Sequence, residues 1–440
     1  MELYSQDDII AAQATAPGKG VISIIRMSGK GCLGVLRKCL VKEPDNINPR
    51  EAYIGGIADD KGEFDQAVYI FYRNPRSYTG EDMVEINCHG GNYISQRLLN
   101  LLCARGARPA GPGEFSFRAF LNGKIDLTQA EAVAEIISAE CELANKNALL
   151  ILNGGLQSQI KEVRQTLIRV DAELEVEIEF PEDEPMEADY WGWSQRLKRV
   201  KQELDDLIQA GRKARAVREG FRVVIAGPPN SGKSTLLNAL LGEDRAIVNP
   251  LPGTTRDVLK ETAEIGGLQV ILSDTAGLRQ TAEEIEYEGI RRAQKEIESA
   301  NLIIYLYDVS VGRRDEDFNG QNVVFAANKV DIYPELNNIS DLKISALRGD
   351  GLEALKSAIK RRALQNTAEG SIIANERHLQ KLLKASDCVL RALEIANVEG
   401  ETEMMALEVR EGIKHLGEII GEGVTEEVLE EIFSRFCIGK

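Results

Sequence analysis

Eight residues, Gly227-Pro-Pro-Asn-Ser-Gly-Lys-Ser234, carry the spacing G-x-x-x-x-G-K-[ST] between an apolar run, FRVVIA, and a helical one, STLLNALLG. A strand that enters a glycine-rich turn and opens a helix aims backbone N–H groups at phosphate oxygens, where the helix dipole also favours negative charge. Lys233 is then placed to reach the β- and γ-phosphates, and the Ser234 hydroxyl to bind Mg²⁺. Asn230, Ser231, Gly232 and Thr235 complete the phosphate-binding set. Three further motifs follow in chain order, each after an apolar run. Asp274-Thr275-Ala276-Gly277 puts an aspartate where it would hold Mg²⁺ through its water shell, and Gly277 offers an N–H to a γ-phosphate. In Asn328-Lys329-Val330-Asp331 the Asp331 carboxylate can accept from the guanine N1–H and exocyclic amine, a donor pair adenine does not offer in that geometry. A site whose buried acceptor would be left unpaired rejects the wrong ligand strongly. Ser345-Ala346-Leu347 supplies backbone N–H for the guanine carbonyl oxygen. Taken singly, DTAG could be an ordinary turn and NKVD a helix cap; in this order they predict a guanine-nucleotide domain.

Between the phosphate loop and DTAG lies Gly253-Thr-Thr-Arg-Asp257, where a mobile segment should bring a threonine, Thr255 rather than Thr254, to Mg²⁺. After DTAG comes Leu278, whose apolar side chain cannot orient an attacking water. The nearest supply of polar groups is Glu283, Glu284, Glu286 and Glu288. Any single one reads more simply as a solvated helix start; their grouping makes one of them a candidate for aligning water.

These motifs need a scaffold. The runs FRVVIAG, VILSD, NLIIYLYD and NVVFAANK, separated by helical segments, predict a largely parallel sheet with crossover helices over 218–366. Upstream, VISIIRM, QAVYIFY and DMVEINCHG with Gly and Pro punctuation predict a strand-rich α/β domain over 1–118. Helical periodicity fills 119–217 and 367–440, including AEAVAEIISAECELANKNALLIL as one helix opened by a Thr128–Glu131 capping box. The simplest arrangement packs these two helical stretches together, with the parallel-sheet unit inserted between them.

The chain has 440 residues, 43% hydrophobic, which is enough for several cores, and a net charge of −17, which argues against a broad basic surface for nucleic acid. Residues 1–130 are electrically balanced, so the deficit falls in 131–440. It is densest over Asp171–Asp189, read as a solvated helix face and loop. No basic start precedes an apolar run and no stretch is long enough to span a bilayer, so a cytosolic protein without membrane contact is expected. Seven scattered cysteines without a CxxC pair fit reduced thiols, and three histidines leave little for a zinc site.

GPPNSGKS, GTTRD, DTAGL and NKVD, flanked by AQATAPGKGVISIIRMSG, PGEFSFRAFLNGKIDLTQAEA and a terminal FCIGK, resemble the MnmE (TrmE) family of tRNA-modifying GTPases. The resemblance spans essentially the whole chain. It implies a multidomain α/β plus all-α protein: an N-terminal folate-binding and dimerisation domain (1–118), a discontinuous helical domain (119–217 and 367–440) and an inserted Ras-like P-loop G domain (218–366). It further implies GTP hydrolysis serving the installation of a carboxymethylaminomethyl-type group at carbon 5 of the tRNA wobble uridine. The FAD- and NADH-using MnmG (GidA) would be the partner, and a tetrahydrofolate derivative, in its 5-formyl or methylene form, the one-carbon source. By motif, Arg26, Glu85, Lys124 and Lys440 would bind the folate. Asn230 and carbonyls around GTTRD would bind K⁺ where an arginine finger would place its charge. Glu286 would position water, as Leu278 independently suggests, and two G domains would meet across their switches in a homodimer. Thr425 is expected to cap the last helix, whose Val428, Leu429, Ile432, Phe433 and Phe436 share a face. Cys437, just beyond it, is by default a buried thiol; the CIGK match gives it a role near folate and uridine. The rival reading is a GTPase switch in ribosome or RNA-complex assembly whose flanking domains only bind. A folate enzyme with a regulatory G domain is a third.

Overall fold

The apolar runs become strands wherever the chain is described. The structure, a computed structural model, describes residues 8–179, 189–213, 220–243, 260–274, 296–312, 322–336, 339–364, 372, 374–398 and 401–439. The chain divides into two compact units, one of residues 1–137, 151–201 and 384–440 and one of residues 138–150 and 202–383.

In the first unit β1 (Ile9–Gln13), β2 (Ile22–Ser28), β3 (Ala52–Asp59), β4 (Gly62–Tyr72), β5 (Met83–His89) and β6 (Ala107–Pro109) form one sheet in the order β3-β4-β5-β2-β1-β6. Only the β1–β6 pair is parallel. Alternation along β4 sends Ala67, Tyr69 and Phe71 to one face. There they pack with Leu36 of α1 (Cys32–Arg37) and Leu98 and Leu102 of α2 (Asn92–Ala104). Cys32, Cys39 and Cys88 belong to this core, and burial pushes the Cys32 thiol up to about 12. They are packing groups, not nucleophiles.

α3 (Glu114–Leu121) and α12 (Glu426–Ser434) share an aromatic core in which Phe433 meets Phe117 edge to face at 5.3 Å. Of the expected α12 face, Leu429 and Phe433 are buried, whereas Val428 is 40% exposed. Thr425 stands at the N-cap position but its side chain makes no capping bond.

The helix expected over 130–152 is two helices, α4 (Leu127–Ser138) and α5 (Glu142–Leu152). α4 does not open with a Thr128–Glu131 box. Asp126 and Gln129 form the box: Gln129 N–H donates to Asp126 Oδ1 (2.9 Å) and Asp126 N–H to Gln129 Oε1 (3.0 Å). An ionised acceptor just before buried Leu127 wins over a threonine one step inside, and Thr128 donates to the same Asp126 oxygen. The break before α5 also has a cause. The Glu142 and Leu143 N–H groups donate to Glu264 Oε1 and the Gly267 carbonyl of a hairpin instead of to a preceding turn.

α6 (Gly155–Glu179) packs along α11 (Thr402–Ile420). Three carboxylates of the acidic stretch expected to be solvated are paired. Arg410 of α11 holds Asp171 and Glu175, and Arg196 of α7 (Tyr190–Lys213) holds Glu173, which also accepts from the Trp193 indole. The Arg196 bonds keep the Glu173 carboxyl below the usual range.

In the second unit β7 (Phe221–Ala226), β8 (Lys260–Ile265), β9 (Leu268–Asp274), β10 (Leu302–Asp308), β11 (Val323–Asn328) and β12 (Leu342–Lys343) run in the order β12-β11-β10-β7-β9-β8, all parallel except β8. Leu236 and Leu240 of α8 (Lys233–Glu243) and Leu355 and Ile359 of α9 (Leu352–Ala363) join one core with this sheet. α10 (Glu376–Ala396) completes the described helices. Among the described residues no helix is long and apolar enough to cross a membrane.

Candidate functional site

Parallel strands end on one edge, and that edge collects the motifs. β7 and β9 pair Ile225 with Asp274, β10 and β7 pair Tyr305 with Ala226, and β10 and β11 pair Asp308 with Asn328. The carboxyl ends of these strands therefore lie side by side, at the edge where open α/β sheets bind ligands.

The loop after β7 needs its glycines. Gly227 (φ 145) and Gly232 (φ 96) have left-handed backbones, and a Cβ would overlap the Leu306 carbonyl at the first and the Asn328 carboxamide at the second. Asn230 takes φ 62, a conformation its short polar side chain tolerates. Lys233, only 8% exposed, donates from Nζ to the Gly227 and Pro228 carbonyls at 3.1 and 2.9 Å, so its cation lies across the loop mouth. The Ser231 hydroxyl is buried and has no hydrogen-bond partner among the described residues. A buried orphan donor, an ammonium and the N-terminus of α8 form a cradle that fits phosphate oxygens. Ser234 and Thr235 occupy the first turn of α8, with exposed side chains.

Asn328, at the end of β11 and 3% exposed, links this loop to the next. Its Nδ2 donates to the Ser231 carbonyl (2.7 Å) and its Oδ1 accepts from the Ala346 N–H (2.9 Å). Lys329 reaches Asp308 Oδ2 at 2.7 Å. Burial works against the Asp308 charge, but the bonds from Lys329 and Ser310 outweigh it and hold the carboxyl below its ordinary range. The Asp331 side chain is 7% exposed and lies 3.4 Å from Arg348 Nε. Within 345–347, the Ser345 N–H donates to the Asp350 carbonyl and that of Ala346 to Asn328, which leaves the Leu347 N–H outside these bonds.

The structure thus brings together Asn230, Ser231, Gly232, Lys233, Ser234, Thr235, Asn328, Lys329, Asp331, Ser345, Ala346 and Leu347. Thr255, Thr275, Ala276, Gly277, Glu286 and Lys440 lie outside the described residues, as do Leu278 and its neighbouring glutamates; of Asp274 only the backbone, the last position of β9, is described. Sequence reasoning passed over Asp308 and Arg348. The first was signalled as an aspartate closing the run NLIIYLYD; the second had no signal, because an exposed arginine in a loop is unremarkable.

The first unit holds a second cluster. Arg26 of β2 and Glu85 of β5 are cross-strand partners, and the guanidinium grips one carboxylate oxygen with Nε (3.0 Å) and Nη2 (2.8 Å). Tyr72 donates to the other oxygen at 3.1 Å. The Arg26 guanidinium lies over the Tyr78 and Phe115 rings, 5.5 and 5.7 Å from their centroids. Tyr72, Tyr78 and Phe115 escaped the sequence reading, since aromatic residues in strands and loops normally read as core. Lys124 does not touch the Arg26–Glu85 pair; its Nζ donates to the Pro75 carbonyl, in the loop that carries Tyr78. Cys437 is exposed, not buried: its chain has left α12, and its carbonyl accepts from the Gly113 N–H while Ile438 bridges to Pro112. This places it on the turn that leads to Phe115.

Asn328→Ala should leave the Ser231 carbonyl and the Ala346 N–H unpaired at a cost of about 1–3 kcal/mol. Titration calorimetry should then show guanine-nucleotide affinity lower by roughly ten- to a hundredfold; an unchanged affinity would remove the link from the site.

Residues 127–437 match the profile described as MnmE helical domain, and residues 9–124 that described as GTP-binding protein TrmE N-terminus. Proteins named tRNA modification GTPase MnmE are similar along nearly their full length. That of Aquifex aeolicus is 43% identical, covering 98% of this chain and 99% of its own. That of Akkermansia muciniphila is 42% identical, covering 98% of each. That of Thermus thermophilus is 39% identical, covering 98% and 99%. With two profiles and full-length relatives agreeing with the strand-edge nucleotide loops, the chain belongs to the tRNA modification GTPase MnmE (TrmE) family.

Proposed function

We propose that the chain binds and hydrolyses GTP, and that this cycle drives tRNA modification at carbon 5 of the wobble uridine together with an FAD- and NADH-using MnmG-type partner. The observation that carries the reading is the bridge made by Asn328, three residues before the largely buried Asp331 carboxylate: it ties the loop of Ser231 and Lys233 to the Ala346 loop. In this reading the loop N–H groups and Lys233 hold the triphosphate, and Asp331 selects guanine. Ser234, with Thr255 and Asp274, would hold Mg²⁺, which when bound neutralises charge on the phosphate oxygens. Asn230 would hold K⁺, and Glu286 would orient the attacking water.

The Arg26–Glu85 pair supports a folate site in the first unit. A carboxylate suits the amine-bearing edge of a pterin, the Tyr78 and Phe115 rings suit its flat face, and Lys124 and Lys440 suit its anionic tail. Cys437 would lie near the one-carbon chemistry. The chain would act as a homodimer, its G domains meeting across their switches.

Four measurements test this. Asp331→Asn should shift preference from guanosine toward xanthosine nucleotides, because an amide can donate where the carboxylate only accepts; unchanged guanine preference would remove Asp331 from base recognition. In hydrolysis assays Na⁺ in place of K⁺ should slow turnover at least tenfold, and Glu286→Ala should lower rate more than affinity; equal rates in the two salts would remove the ion. Equilibrium binding of 5-formyltetrahydrofolate to the full chain should be lost in Glu85→Ala. Absence of binding by the unaltered protein would favour the assembly-switch reading.

A further inference from the structure

The edge that guanine offers to a carboxylate, N1–H and the C2 amine, is a guanidine fragment fused into a ring. An arginine side chain ends in the same fragment, a planar array of N–H donors matched to two carboxylate oxygens. Arg348 is held beside the base-recognition carboxylate by its loop. Its own N–H donates to Ser345 Oγ (3.2 Å), the Gly349 N–H donates to the Ser345 carbonyl (2.8 Å), and the Ser345 N–H closes on the Asp350 carbonyl (2.9 Å). From that turn its Nε lies 3.4 Å from Asp331 Oδ2, with the carboxylate side chain 7% exposed and the arginine 67%.

We propose that Arg348 is a built-in competitor for the base: its guanidinium takes the place of the guanine edge on Asp331 and has to swing out before guanine docks. This rests on the reading of Asp331 as the guanine acceptor. The physical logic is asymmetric. A carboxylate this buried is costly to leave without a partner. The cation that pairs with it is mostly exposed, so it is rehydrated when it swings out, and what opposes opening is the unpaired carboxylate, which the donors of guanine then satisfy. The pair therefore keeps Asp331 in position between ligands and is displaced only by a molecule bringing equivalent donors. An adenine nucleotide brings none, so for it the pair remains a barrier. If the pair is closed for about three quarters of the time, the competent fraction is about one quarter and apparent affinity is lowered about fourfold.

The test is stopped-flow association and dissociation of a fluorescent GDP with the full chain, comparing the unaltered protein with Arg348→Gln and Arg348→Lys. Arg348→Gln should associate about three- to fivefold faster with tighter equilibrium binding and little change in dissociation. Arg348→Lys, which keeps the charge without the planar donor edge, should fall between. Added salt should narrow the gap by weakening the pair in the unaltered protein. Unchanged association in Arg348→Gln would overturn the proposal, as would faster dissociation with weaker binding, which would make Arg348 a clamp on bound nucleotide. Asp331→Asn separates the two levels. If it keeps its guanine preference, the base site itself is misplaced and the proposal falls with it. If it turns to xanthosine diphosphate while Arg348→Gln binds GDP as the unaltered protein does, only the competitor role falls.

Discussion

One carboxamide joins the two halves of the proposed nucleotide site. Asn328 donates to the Ser231 carbonyl of the phosphate loop and accepts from the Ala346 N–H of the base loop, with both bonds buried. A buried amide with donor and acceptor both engaged holds its neighbours in one arrangement, because moving either loop leaves a polar group unpaired. The requirement for glycine at position 232 follows from the same contact, since a side chain there would displace the carboxamide. In the proposed reading phosphate and base recognition are thus one structure, although more than ninety residues separate Ser231 from Asn328 in the chain.

The carboxamide can do this because the sheet is parallel. Parallel strands share an edge, so β7, β9, β10 and β11 end side by side. The strands themselves are ordinary apolar runs covered by α8 and α9. Their role is to fix the height at which Asp308, Asn328 and Gly227 leave the sheet.

This explains what could be read ahead of the structure. Strand-ending motifs carry local signals, glycines for unusual backbone and polar residues after apolar runs, so the loops that close β7 and β11 were legible together with the largely parallel sheet. Interactions set by tertiary geometry were not. The Arg348–Asp331 pair depends on the shape of a turn. The stacking of Arg26 on Tyr78 and Phe115 joins three segments of the first unit. Cys437 is exposed because the chain leaves α12 to bridge at Pro112, which helical periodicity does not foretell. Local competition misled too: Thr128 has the right type for a cap, yet Asp126 two residues earlier takes the position. The break before α5 comes from a hairpin supplying hydrogen-bond partners to its first N–H groups, a contact between residues over a hundred positions apart.

The first unit obeys the same economy in another setting, where adjacent antiparallel strands make Arg26 and Glu85 direct partners and Tyr72 orients the carboxylate. Amide hydrogen exchange of the full chain with and without saturating GDP tests most directly whether the two loops joined by Asn328 bind nucleotide as one unit. Protection should rise together in residues 230–235 and 345–349 and follow the same GDP concentration. Protection confined to the phosphate loop, with residues 345–349 exchanging as before, would contradict it.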